Sequence, residues 1–352
     1  MIKKRLLKYF SHDIKENVSD ANDPTGSSLF NSHLWYKNFE QFICFNDKLT
    51  RYLISETNEQ TCRLPLKVEK SKKVFGLLNS LKLKALSNYY TPYFGLFPLS
   101  QPDNSANIHD QHISAFQRYL KCFNRIELNP LVESEMLAFK KAFKKQGYFV
   151  STYVCSTNWY EDNIIDVDDY WSRRRSKLKN TIRRRRDKVN KSGQYEFVIQ
   201  SEGELLRSLA DFHHVYYHSW KVNEPFPAFI DQLAQDMMDA GKLRMGVVYQ
   251  DKRPLAAQMW FVENGIAYIF KLAHCPEAEK HSLGSVLTAE MFNYVIEKDK
   301  VTKVDFLTGN DNYKKDWMSK SRPLYKLTAY NTKTFLGLGG ALKSYLDKDQ
   351  SH

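Results

Sequence analysis

LRMGVVYQDKRPLAAQMWFVENGIAYIFKLAHCP, residues 243–276, decides the fold. Leu243 to Tyr249 alternates apolar with polar residues and is rich in strand formers, and Asp251, Lys252 and Arg253 ahead of Pro254 make a turn. A second run, Leu255 to Val262, reaches Glu263-Asn264-Gly265. Asn-Gly suits a type I′ turn, whose two central residues both need φ > 0, so it predicts a tight antiparallel hairpin. The third run, Ile266 to Ala273, sets Ile266, Tyr268, Phe270 and Leu272 against smaller or polar neighbours and stops at His274, Cys275 and Pro276.

Downstream, His281-Ser282-Leu283-Gly284-Ser285 leads into Val286 to Lys298, where Val286, Leu287, Met291, Tyr294 and Val295 recur at helical spacing. Val304 to Leu307 reads as a strand, followed by Thr308-Gly309-Asn310-Asp311, a short helix through Trp317 and a last strand from Leu324 to Tyr330. After three antiparallel strands, a strand that returns through a helix must pair in parallel, and such a junction can splay. Backbone groups left on the third strand can then pair with an extended amide-bearing ligand, while the first NH groups of the Gly284 helix hold its phosphates.

This order resembles the GNAT superfamily of acyl-coenzyme A N-acyltransferases. The resemblance implies that the third strand, here Phe270, Lys271 and Leu272, pairs with pantetheine. It also implies that His281, Ser282, Leu283, Gly284, Ser285 and Val286 bind the coenzyme A pyrophosphate, where the superfamily has Arg or Gln, two residues, Gly, one residue, then Gly or Ala. Gly284 matches; His281 and Val286 depart from the pattern. The His281 to Leu287 loop and the block from Asp305 to Trp317, with an Asp, a Gly, Tyr313-Lys314 and a Trp, are similar to the acetyltransferase group named after cellulose-biosynthesis proteins. The likeness covers about Asp168 to Tyr330 closely and the N-terminal half loosely.

With 352 residues the chain exceeds the usual size of one core, which predicts two domains or a fused pair of similar halves. Hydrophobic residues at 42% and aromatics at 14% suffice for a substantial core and exclude a disordered protein. Five scattered cysteines without a C-x-x-C suggest neither a disulfide framework nor a zinc site, and fit a reducing cytoplasm. The basic start, Lys3, Lys4, Arg5 and Lys8, has too short an apolar stretch for a signal peptide, and no run of about 18 apolar residues predicts a spanning helix. A formal charge of +12 points to anionic partners, among them coenzyme A, anionic lipid heads, acidic polysaccharide precursors and nucleic acid, without choosing.

Residues 1–30 read as a flexible basic leader. Phe30 to Ile54 is expected to be helical, Cys62 to Val68 and Leu86 to Phe97 to be strands, and a helix, strand, helix and strand follow at Ala115 to Leu120, Phe123 to Leu128, Val132 to Phe143 and Gly147 to Cys155. The three tyrosines of Ser87 to Tyr93 suit a sheet face or a pocket wall. This order echoes the second half. The expected fold is therefore α+β (mixed α/β), with two GNAT-like halves in tandem over 31–160 and 161–352 and a boundary between Asn158 and Asp169. Relatives that transfer aminoacyl groups to peptidoglycan share such halves.

Asp168-Asp169 starts a predicted helix that runs to Gly193, with Trp171, Leu178, Ile182 and Val189 on one stripe and eleven basic residues from Arg173 to Lys191 around it. A nucleic-acid helix, a membrane-surface helix and a solvated face that also supplies cations to a coenzyme or anionic acceptor compete for it. The last agrees with the resemblance; nucleic acid has no companion motif. Tyr195 to Gln200 is expected to be a strand and Glu204 to Trp220 a helix carrying His214 and His218 at a metal-ligand spacing, with no third ligand nearby to make a metal site.

Acyl transfer from a thioester to an amine needs the amine deprotonated, the carbonyl polarised and the thiolate protonated. The resemblance puts a backbone NH near Phe270 to Ala273 on the carbonyl, so no side-chain nucleophile is required. Asp305 and His274 are candidate bases, and Tyr313 a candidate acid; each residue type also serves packing or loop capping. Lys314 and Lys271 suit coenzyme phosphates, an acidic acceptor or plain solvation. The leading expectation is a cytoplasmic N-acyltransferase using acetyl-CoA or another acyl-CoA as substrate on an amine-bearing small molecule or glycan precursor, in surface polysaccharide or lipid assembly. Its basic face would lie peripherally against anionic membrane. Two alternatives are an aminoacyl-tRNA dependent transferase like the peptidoglycan bridge enzymes, and a non-catalytic protein that binds anionic surfaces or nucleic acid.

Overall fold

A computed structural model describes residues 28–44, 50–56, 61–70, 80–96 and 105–349. The expected leader lies outside them except for its last three residues. Contacts divide the chain into two compact units, Met1–Ser156 with Pro323–His352, and Thr157–Arg322. Residues 323–352 therefore return to the first unit, which one boundary near Asn158 to Asp169 does not include.

In the first unit a short helix α1 (His33–Asn38), capped by the Ser32 side chain on the Trp35 amide, precedes strands β1 (Thr50–Glu56), β2 (Thr61–Lys70) and β3 (Leu81–Ala85). Helix α2 (Ser105–Leu120), strand β4 (Arg125–Leu131), helix α3 (Glu133–Lys145) and the start of β5 (Phe149–Glu161) follow. β1, β2 and β3 are antiparallel neighbours, and β4 lies parallel to β3. Leu66, Leu83, Ile126, Leu128, Phe139 and Phe143 are at the centre of its core. Two expectations change here. The helix expected to run on to Ile54 does not do so, because Thr50 to Ile54 pair with β2. Leu86 to Leu96 is irregular chain: the Asn88 side chain accepts the Tyr90 amide at 2.9 Å and the Asn88 carbonyl accepts the Thr91 amide at 3.0 Å, a turn that a strand cannot hold.

The second unit begins within β5 and continues with α4 (Val167–Ser172), α5 (Ser176–Ser192), β6 (Tyr195–Gln200), α6 (Leu205–Tyr217), α7 (Pro227–Asp239), β7 (Leu243–Gln250), β8 (Arg253–Glu263) and β9 (Ile266–His274). A 3-10 turn over Pro276–His281 leads to α8 (Leu283–Glu297), β10 (Lys303–Thr308), α9 (Lys314–Trp317) and the start of β11 (Lys320–Tyr330). β6 to β9 are antiparallel neighbours, β10 is parallel to β9, and β5 pairs with β10 on its other edge. The hairpin turn has Asn264 at φ 51 and Gly265 at φ 72, as its sequence requires.

The single helix expected from Asp168 to Gly193 is two. Between them Arg174 turns inward, where its guanidinium meets the Glu161 carboxylate and the Trp317 carbonyl, and Arg175 is extended. Gly193 closes α5 in the left-handed conformation at φ 63. Phe292 of α8 is stacked between Tyr170 at 4.6 Å and Trp317 at 5.5 Å with Trp260 edge-on at 5.3 Å, each pair adding about 0.5–1.5 kcal/mol beyond its burial. β11 then pairs with β4 in the first unit and leads to α10 (Phe335–Asp349). The order of three antiparallel strands, helix, parallel strand, helix and strand thus occurs twice, from β1 to β5 and from β7 to β11.

Candidate active site

β9 and β10 pair at three positions only: Lys303 beside Ile266, Val304 beside Ala267 and Asp305 beside Tyr268. Beyond these, β9 runs on to His274 and β10 to Thr308, and the strands part. Each strand carries a local device at the parting. Met259 faces Lys271 and Trp260 faces Ile269, so Phe270 is an extra residue that bulges β9. On β10, Leu307 is at φ 55, an uncommon conformation for a branched side chain. The Asp305 carboxylate holds it there by accepting the Leu307 amide at 2.8 Å, and the Asn158 side chain donates to the same oxygen at 2.6 Å and to the Leu307 carbonyl at 3.0 Å.

Helix α8 begins against the end of β9. A Cβ on Gly284 would stand 3.0 Å from His274 Cδ2, and the buried Gln258 side chain donates to the Gly284 carbonyl at 3.1 Å. Ser282 is left-handed at φ 54, and its carbonyl takes the Ser285 and Val286 amides while its own amide bonds Glu279. Among the described residues, the Leu283 and Gly284 amides have no backbone acceptor, which leaves two donors at the positive end of the helix dipole. Helix α5 adds cations beside this turn, with Arg185 donating to the Lys280 carbonyl at 2.9 Å. Burial, then the charges of Lys188, Lys280 and Arg185, hold the His281 imidazole below its usual range.

At the parting itself, Lys271 is buried and pairs with Glu224 of the loop between α6 and α7. Lys314 is buried too; its ammonium donates to the carbonyls of Phe306, Thr308 and Gly309 at 3.3, 2.8 and 3.4 Å and lies 3.4 Å from Asp311. The Tyr313 ring, 42% exposed, stands edge-on to Phe306 at 5.7 Å, and partial desolvation followed by the Asp311 charge raises its phenol above the usual value. His274 lies against Trp220 at 4.4 Å, with Nδ1 3.1 Å from the Cys275 carbonyl. Asp305 is fully buried and its second oxygen faces Lys303 at 3.7 Å and Arg322 at 3.9 Å, not Lys314.

The strand parting and the β9 bulge lie on the strand whose end, at His274, packs against the Gly284 turn. Residues 176–315 match the family described as acetyltransferase (GNAT) domain. This stretch of the second unit is similar to GNAT acetyltransferase domains. The chain has a mixed α+β fold shared with solved structures of low identity. FemX is 9% identical with a TM-score of 0.59, over 88% of this chain and 94% of that one. L-PGS from Bacillus licheniformis is 12% identical with a TM-score of 0.52, over 85% and 89%. The C-terminal domain of a putative lysylphosphatidylglycerol synthetase from Agrobacterium fabrum is 9% identical with a TM-score of 0.53, over 86% and 94%. A search of curated proteins returns no match.

Around the parting of β9 and β10, the structure brings Phe270, Lys271, Leu272 and His274 on β9, the His281 to Val286 turn, and Asp305, Tyr313 and Lys314 to one end of the second unit's sheet. Sequence reading missed Asn158, Lys221 and Glu224. Asn158 acts across 149 positions of chain, and Lys221 and Glu224 lie in a loop with no periodicity to single them out. The first unit repeats the parting: β3 and β4 pair at Lys82–Arg125, Leu83–Ile126 and Lys84–Glu127. There, however, the chain bonds β4 itself beyond the last pair, with the Phe94 amide on the Pro130 carbonyl at 2.9 Å and the Ser87 hydroxyl on the Asn129 carbonyl at 2.7 Å. No helix among the described residues is long and apolar enough to cross a membrane.

Proposed function

We propose that the protein is an acyl-CoA dependent N-acyltransferase acting on an amine-bearing small molecule or glycan precursor, of the kind the cellulose-biosynthesis-like group suggests. The observation that carries this reading is the parting of β9 and β10 after the Asp305–Tyr268 pair, opposite the free amides of Leu283 and Gly284. Backbone amides of Phe270 to Leu272 would hold the pantetheine and orient the thioester carbonyl, and Leu283 and Gly284 with Arg185, Lys188 and Lys280 would hold the diphosphate. Asp305 is committed to Asn158 and the Leu307 amide, which favours His274 over Asp305 as the base; Tyr313, kept protonated, supplies a proton to the departing thiolate.

Calorimetry with acetyl-CoA and longer acyl-CoA thioesters tests the reading. Binding by the full chain that Gly284→Glu abolishes is the expected result; absence of binding by either form ends it.

A second reading is transfer of an aminoacyl group from charged tRNA. It is favoured by the exposed row of Lys177, Arg183, Arg184, Lys188 and Lys191 on α5, which lines one shallow concavity and exceeds what one diphosphate needs. The fold shared with FemX and the lysylphosphatidylglycerol synthetase domain supports it as analogy only. Filter retention of charged tRNA that charge reversal at Arg183 to Arg186 removes would select this reading, and no retention at low salt would reject it.

A further inference from the structure

The loop between α6 and α7 brings one more cation to the parting of β9 and β10. Lys221 lies half-buried with its ammonium 5.8 Å from the Tyr216 ring centroid and 5.7 Å from that of Trp220. Lys271 faces the same Tyr216 ring at 5.3 Å. Two ammonium groups therefore lie against one aromatic ring, and Lys314 and Asp311 are further charged neighbours of Lys221. The nearby carboxylates are engaged: Glu224 with Lys271, and Asp311 with Lys314. Among the described residues Lys221 has neither a carboxylate nor a carbonyl within bonding distance, only the rings. Trp220 of the same loop lies against His274 at the end of β9.

We infer that Lys221 binds an oxyanion, a carboxylate or phosphate carried by the amine acceptor, and so restricts acceptors to amines that bear an anionic group. The inference rests on the acyltransferase reading for the word acceptor, but not for the anion. Three converging ammonium groups repel one another and lack one counter-charge, which a bound oxyanion supplies. The aromatic faces of Tyr216 and Trp220 hold the lysine stem in place and offer an anion nothing, so selectivity falls to the ammonium. Burial, followed by the positive charge of Lys271, lowers the Lys221 amine to about 8. An anion at this position would raise it again.

Sulfate and acetate serve as probes, since neither changes charge between about pH 6 and about pH 10. Titrated calorimetrically into the full chain, one or both are expected to bind, and to weaken roughly tenfold or more in Lys221→Met while Lys221→Arg retains them. Affinity should fall as pH rises through about 8, where the amine loses its proton. Acetyl-CoA binding should be unchanged in Lys221→Met. Equal probe affinity in wild type and Lys221→Met, or no probe binding, overturns the anion site. Loss of acetyl-CoA binding in Lys221→Met assigns the anion to the coenzyme and overturns the acceptor assignment. Lys221-dependent sulfate or acetate binding without any acyl-CoA binding keeps the site and removes the acyltransferase reading instead.

Discussion

Asp305 accepts the backbone amide of Leu307, two residues further along its own strand, at 2.8 Å. That bond keeps Leu307 at φ 55 and turns β10 away from β9, so the gap on which the site depends is held open by a buried carboxylate. Asp305→Ala would leave the Asn158 amide and the Leu307 NH without their acceptor. A loss of about 3–5 kcal/mol is expected, with Asp305→Asn costing less because its carbonyl oxygen can take both donors. Denaturant unfolding checks it: a stable Asp305→Ala with normal unfolding would show the carboxylate to be free for chemistry.

Gly284 packs its bare Cα against His274, where any Cβ comes within 3.0 Å of Cδ2. Gly284→Ala displaces the imidazole by a few tenths of an ångström and should weaken acyl-CoA only slightly, whereas Gly284→Val should weaken it roughly tenfold or more by crowding the helix amides. Calorimetric affinities of the two variants, compared at equal fold content by circular dichroism, decide the point.

Each chain should bind one acyl-CoA, although the strand order occurs twice. In the first unit the Phe94 amide and the Ser87 hydroxyl already bond β4 beyond its last pair with β3, where a pantetheine would have to lie. Native mass spectrometry at saturating acyl-CoA gives the count directly, and two ligands per chain would contradict this account.

Glu161, 1% exposed, meets Arg174, Arg173 and the Ser319 hydroxyl and amide. Burial alone would raise its carboxyl, but the Ser319 hydrogen bonds and the Arg174 charge outweigh it and hold the group below its usual value of 4.5. A depressed folded value means that the stabilisation is complete above the unfolded value and is lost as pH falls through the folded one. Arg174→Met, which strands the carboxylate, should cost about 3–5 kcal/mol at neutral pH and less in acid, as Glu161 takes up a proton. Urea midpoints measured from about pH 7 down to about pH 3 test the direction; a deficit that grows in acid would refute it.

Local patterns gave the second unit's strands, its hairpin and α8 because each depends on neighbours in sequence. Alternation set β7 to β9, Asn264-Gly265 set the turn, and the change of period after Cys275 set the helix. The same logic misread Leu86 to Leu96, where apolar and aromatic residues fill space around β4 without forming a ladder, and it merged α4 with α5 because nothing local shows that Arg174 has a buried partner.

By itself the sequence determined the order of elements around 243–330 and the stretches that reach the parting of β9 and β10, since hydrophobic period, turn chemistry and glycine placement are short-range properties. Only the tertiary structure decided how far β9 and β10 stay paired, which of the two similar halves keeps an open gap, and which charges lack partners. Those outcomes depend on contacts such as Asn158 to Asp305 and Lys271 to Glu224, between residues 147 and 47 positions apart, whose pairing no local pattern encodes.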